Sequence, residues 1–78
     1  MVMYVIKVSL YGVIRLQAGI ALFESSATTL EELKSQIPNV SRKEANDLIV
    51  LVNGSAVKRK YVFKDGDEVV FMSPAGGG

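Results

Sequence analysis

The chain contains no cysteine and no histidine. Without cysteine no disulfide can staple it. With neither thiol nor imidazole, the commonest catalytic nucleophile and general base are both missing. A zinc site would have to be built from carboxylates alone, against that metal's preference for nitrogen and sulfur ligands. Serine–lysine or carboxylate chemistry stays formally open, but 78 residues leave little room for a substrate cleft, so the chain is read as no independent enzyme. An excess of one charge is lacking as well. Nine Lys and Arg stand against eight Asp and Glu, interspersed, for a net charge of +1. That is no electrostatic footprint for nucleic acid. Long apolar runs are also absent. Leu48–Val52 and the N-terminal Met1–Ile6, stopped by Lys7, fall far short of the roughly 20 residues of a membrane span. The N-terminus has no basic stretch before its apolar residues and reads as a strand rather than a signal peptide. No membrane partner is expected, and the expected compartment is the cytoplasm.

What is present is a hydrophobic fraction of 49%, enough for a packed core and against disorder. A chain this short buries only about 60% of its unfolded surface, so one small domain with a thin core is expected. Val2–Leu10 alternates, with Tyr4, Ile6, Val8 and Leu10 on one face, and reads as a first strand. Gly12 and Gly19 punctuate the next stretch, and Ile20–Phe23 is a second apolar run expected to pair with the first as a hairpin. Glu24–Thr28 reads as a polar break. Thr28-x-x-Glu31 and Thr29-x-x-Glu32 both fit a capping box, and Leu30, Leu33 and Ile37 share one helical face up to Pro38. Ser41-x-x-Glu44 repeats the box and starts a short second helix through Asp47. Leu48–Val52 is a strand, Asn53-Gly54 the strongest two-residue hairpin signal, and Ser55–Val57 the returning strand. Tyr61–Phe63 is apolar again, Lys64–Asp67 is a turn, and Glu68–Met72 is the last strand. The order predicts an α+β fold: one mixed sheet of four or five strands packed on one main helix, with the last strand central and parallel to the first. Small rolls of this order include the β-grasp.

Most polar clusters have a plain structural reading. Asp65-Gly66-Asp67 lacks the remaining ligands of a calcium loop and reads as a turn. Lys58-Arg59-Lys60 with Lys64 reads as a solvated face. Glu31 and Glu32 suit helix capping and the helix dipole better than acid–base catalysis. Tyr11 and Met72 fit either core or a partner surface.

The last strand runs through Ser73-Pro74-Ala75 into Gly76-Gly77-Gly78. A glycine tail has no side chains and can thread a channel closed to other residues. From Ser73 to Gly78 it reaches at most about 20 Å, at roughly 3.3–3.6 Å per residue. The reactive group it would present is the Gly78 α-carboxylate. Domain organisation is accordingly read as a body over 1–72 and a flexible tail over 73–78.

Val52-Asn53-Gly54, Lys64-Asp65-Gly66-Asp67-Glu68-Val69 and Phe71-Met72-Ser73-Pro74-Ala75-Gly76-Gly77-Gly78 together resemble the MoaD/ThiS family of ubiquitin-like sulfur carriers. The resemblance is strongest to small subunits of molybdopterin synthase, whose ending commonly has two phenylalanines, two prolines, a valine, a small residue and two glycines. Counted from the end, Gly77 and Gly78 match the two glycines, Gly76 the small residue and Pro74 the second proline. Ser73 departs from the first proline and Ala75 from the valine. Tyr11 and Arg15 match an aromatic and a frequent arginine after the first strand.

The resemblance implies a β-grasp, ubiquitin-like fold and a carrier that catalyses nothing itself and binds no cofactor. It implies that an E1-like enzyme uses ATP to adenylate Gly78, that Gly76 and Gly77 thread the enzyme's channel, and that sulfur then replaces AMP to give a thiocarboxylate. Tyr11, Arg15, Met72 and Pro74 are the implied partner-binding residues. The implied acceptor is the large subunit of molybdopterin synthase or another sulfur acceptor. Three alternatives stand beside it: a protein modifier joined through Gly78 to lysines, as small archaeal modifiers are; a carrier for thiamin or tRNA thiolation; and a β-grasp binding module with an inert tail.

Overall fold

The computed structural model describes residues 4–74. Eight elements succeed one another: β1 (Ile6–Tyr11), α1 (Val13–Ala18), β2 (Leu22–Ser25), α2 (Leu30–Lys34), α3 (Arg42–Asn46), β3 (Ile49–Val52), β4 (Ser55–Ala56) and β5 (Glu68–Met72). The strands form one sheet in the order β2-β1-β5-β3-β4, with β1 and β5 parallel at its centre and the other pairs antiparallel. This is the β-grasp arrangement expected from the strand order. No helix among the described residues is long and apolar enough to cross a membrane.

The alternation along the central strands explains the layering. Ile6, Val8 and Leu10 of β1 and Val69 and Phe71 of β5 point to one face and are almost wholly buried. They meet Leu30, Leu33 and Ile37, the predicted face of α2 and the turn after it, together with Ala27, Phe63 and Val52. Burying a side chain such as Leu33 contributes about 1.5–3 kcal/mol, so these few residues hold most of the molecule together. Among the described residues, nothing forms a covering layer on the opposite face.

Local signals set the ends of the elements. Thr29 caps α2, its hydroxyl accepting from the Glu32 N–H at 3.2 Å. The Glu32 carboxylate reaches back to the Thr28 N–H at 2.7 Å, one residue earlier than the reciprocal box requires. Ser41 and Glu44 form the full box at α3, with bonds of 3.1 and 2.9 Å. Asn53 and Gly54 both have positive φ, at 52° and 84°, as the tight turn between β3 and β4 demands.

Two expectations are corrected. The segment between β1 and β2 is no simple hairpin turn but the helix α1. Ile14 and Ala18, four residues apart, insert into the core, and Gly19 ends the helix in the left-handed conformation. Six residues with two β-branched side chains have no helix tendency of their own, so packing decides. The second strand is displaced to Leu22–Ser25, taking in part of the expected polar break. Ser25 tolerates burial because its hydroxyl bonds Gln36 and accepts from the Ala27 N–H. The further apolar stretch, Tyr61–Phe63, is anchored without becoming a strand. It contributes one bridge, Val62 to Thr29, and the Phe63 N–H donates to the Thr28 carbonyl.

Candidate docking surface and tail root

The residues expected to carry the chemistry, Gly76, Gly77 and Gly78, lie outside the described residues, as does the expected flexibility of that stretch. What the structure describes is the root from which they leave. β5 carries the chain along the centre of the sheet and out beside the end of β1, so its last residue, Met72, pairs with Tyr11. These two sequence-predicted partner residues therefore sit side by side on the uncovered face. Tyr11 is half exposed, at 52%, and Met72 is half-buried. Neither belongs to the buried core, which favours the surface reading of the pair. On the other side of β5, Ile49 faces Met72 and Leu51 faces Val70. The uncovered sheet thus presents Tyr11, Met72, Val70, Leu51 and Ile49 as contiguous apolar surface, the kind that marks an interaction site.

Pro74 is exposed just beyond this row. Between it and Met72, Ser73 is held on both sides. Its N–H donates to the Tyr11 carbonyl at 3.3 Å, and its hydroxyl accepts from the Ile14 N–H at 2.9 Å. That second bond is a helix cap supplied from 59 residues away. The residue at the helix's own cap position is Gly12, which has no side chain to offer. Gly12 sits at φ 80°, where other residues are strained, and a Cβ there would stand 3.4 Å from that of Ser73.

Arg15, the third predicted partner residue, lies exposed on α1 rather than in the Tyr11–Met72 row. With Leu16, Gly19, Ile20 and Ala21 it lines a shallow depression. Among the described residues no carboxylate pairs with it; the one ion pair found there is Arg42–Glu31, fully at the surface. Gln17 ties the same helix to the opposite side, donating to the Asn39 carbonyl at 3.1 Å and to the Glu44 carboxylate at 2.8 Å.

The acidic turn before β5 is structural. Asp67 is buried and accepts from the Asn53 amide, the Tyr61 hydroxyl and the Lys64 N–H, all at 2.8–2.9 Å. Burial by itself pushes the Asp67 carboxyl up, but these three bonds and the Lys64 charge outweigh it and hold the carboxyl below its usual range. Asn53 in turn accepts from the Glu68 N–H at 3.0 Å, so the tight turn and the start of β5 are locked together. Asp65 accepts from the Val5 N–H at 2.9 Å. Lys58, Arg59 and Lys60 are exposed, as expected of a solvated stretch.

Sequence reasoning missed Ser73 as a structural residue, and Val13, Leu16, Ile20 and Leu22 as exposed apolar ones. The two glycines flanking residues 13–18 were the available sign of a short capped helix.

The ThiS family model matches residues 8–78, from β1 through the terminal glycines. No curated protein matches the chain. Among solved structures, SAMP1 from Haloferax volcanii superposes with a TM-score of 0.77 at 19% identity, over 95% of this chain and 99% of that one. A protein from Pyrococcus furiosus described as molybdopterin converting factor, subunit 1, gives 0.73 at 22% identity, over 94% and 100%. Urm1 from Trypanosoma brucei gives 0.66 at 22% identity, over 95% of each chain. At these identities the structures establish the shared fold.

Proposed function

Since the chain belongs to the ThiS family, we propose that it is a cytoplasmic sulfur carrier whose Gly78 carboxylate is activated and converted to a thiocarboxylate. In this reading residues 1–72 are the docking body and 73–78 the tail. An E1-like enzyme binds ATP; a Gly78 carboxylate oxygen attacks the α-phosphorus and pyrophosphate leaves. The acyl carbon now carries AMP, a far better leaving group than hydroxide. A persulfide sulfur on a partner attacks that carbon and AMP departs. A second thiol then attacks the partner's sulfur of the acyl disulfide, releasing the thiocarboxylate and forming a disulfide on the partner side. The carrier supplies no catalytic group and holds no cofactor; ATP belongs to the activating partner. The carrier then docks on the large subunit of molybdopterin synthase, or on another sulfur acceptor, and in the molybdopterin branch the sulfur passes to a pterin precursor; the Ser73-Pro74 segment and the likeness to the Pyrococcus furiosus protein support that branch.

The observation that carries this reading is the family match running through Gly78, together with a sheet in which β5 ends at Met72 beside the half-exposed Tyr11. The likeness to SAMP1 supports a second reading, in which the same acyl adenylate passes to a lysine amine of a target protein. The two share the activation step and differ in the nucleophile.

The test is ATP–pyrophosphate exchange with the E1-like enzyme, comparing the intact chain with one lacking Gly77 and Gly78. The truncated chain is expected to be silent; equal exchange would remove both readings. Intact-mass analysis of protein from its native cells then separates them. An oxygen-to-sulfur exchange marks the carrier, and an isopeptide adduct the modifier.

A further inference from the structure

The helix α1 carries apolar residues on its exposed side as well as on its buried one. Ile14 and Ala18 fill the core, yet Val13 is 66% exposed and Leu16 81% exposed, three residues apart on one side of the helix. Ile20, just past its end, is also exposed and shares a shallow depression with Leu16. Apolar side chains this open, on a helix this short, contribute little to the fold they belong to. An exposed polar residue at either position would serve the helix at least as well.

We propose that this α1 stripe, Val13, Leu16 and Ile20, is a second docking surface for the adenylating partner, separate from the sheet face and reached by the same partner because Ser73 fastens the tail root to α1. The inference rests on the carrier reading. The argument for this occupant is geometric. Ser73 is bonded to the first turn of α1 and to the strand before it. From there to Gly78 the chain spans at most about 20 Å. The whole of α1 lies within about 9 Å of its capped end, at 1.5 Å per residue. A protein that closes its active site on the Gly78 carboxylate therefore works within reach of α1 as well as of Tyr11 and Met72. Ordering a tail of glycines costs conformational entropy, about 1–2 kcal/mol per residue, so surface near the root has to supply affinity. The exposed stripe supplies apolar area, and the exposed Arg15 beside it fits a partner whose apolar groove is edged by a carboxylate.

The experiment is pyrophosphate exchange with the E1-like enzyme at varied carrier concentration, using Leu16→Gln and the double variant Val13→Ser, Leu16→Ser. Glutamine keeps helix propensity, and circular dichroism checks each fold. The expected result is a KM for the carrier raised at least about tenfold with kcat within about twofold. In parallel, methyl signals of Val13, Leu16 and Ile20 in the unaltered carrier are followed on adding the enzyme and ATP, and are expected to shift; this reading needs no variant to fold. Unchanged KM in folded variants, or unperturbed methyls, overturns the inference while leaving the carrier reading intact, provided the Gly77–Gly78 truncation abolishes exchange. Sedimentation showing a carrier dimer that Leu16→Gln dissociates, with KM unchanged, assigns the stripe to a second copy and also overturns it. Exchange that survives the truncation removes the carrier reading and this inference with it.

Discussion

Asp67 shows how a single buried charge is made tolerable. Its carboxylate has three donors, one each from Asn53, Tyr61 and the Lys64 backbone. Replacing it with alanine strands all three, and a loss of roughly 1–3 kcal/mol in urea unfolding is expected. The carboxyl is depressed in the folded state, so its contribution is fully present above the unfolded value of about 3.9. It is lost as pH falls through the lower folded value. Asp67→Asn is therefore expected to remove part of the acid-side fall in stability below about pH 4, and a denaturation series across that range measures it. Asp67 was legible in the sequence only as one of two acids in a turn. That it is the buried one comes from Tyr61 and Asn53 converging on it from other parts of the chain.

Among the elements, α1 depends most on others. It is six residues long, its cap residue is a glycine, and the side-chain bond that caps its first turn comes from Ser73. Ser73→Ala leaves the Ile14 N–H without its acceptor, and by analogy with ordinary caps a cost of about 1 kcal/mol is expected. Ser73→Thr keeps the oxygen and is expected to restore most of it. Amide hydrogen exchange at Ile14 and Arg15, faster in the alanine variant and near normal in the threonine one, is the direct check. Gly12→Ala is expected to cost about 1–3 kcal/mol through its left-handed backbone, read as a lower midpoint of thermal unfolding. The helices α2 and α3 need no such help. The serine cap of α3 with its glutamate three residues on was visible in the sequence, whereas at α2 Thr28 and Thr29 both fitted and the structure selects Thr29.

Taken as one body, the described residues have a thin core layer between helices and sheet, and an open sheet face on the other side. Substitutions in the two regions are expected to separate cleanly. Leu33→Ala, wholly buried against the sheet, is expected to lose about 2–5 kcal/mol of stability, a large share of what a small domain possesses. Tyr11→Ala and Met72→Ala are expected to leave the circular dichroism spectrum intact. They should also weaken binding to the activating enzyme by more than about 1 kcal/mol each, measured by calorimetry. If both variants unfold the chain instead, the open face is part of what holds the fold.

The α+β succession of elements, the α2 face of Leu30, Leu33 and Ile37, the Asn53-Gly54 turn and the serine box at α3 could all be read from the residues alone. Each rests on periodicity or on bonds spanning a few residues, which the local sequence dictates whatever surrounds it. Three outcomes could not be read that way: residues 13–18 form a helix, Tyr11 and Met72 lie side by side on the uncovered sheet face, and Ser73 joins the tail root to α1. They need groups as far apart as Ile14 and Ser73, 59 residues along the chain, to arrive at one place. The parallel pairing of the first and last strands brings them together, and no short window of sequence carries that information.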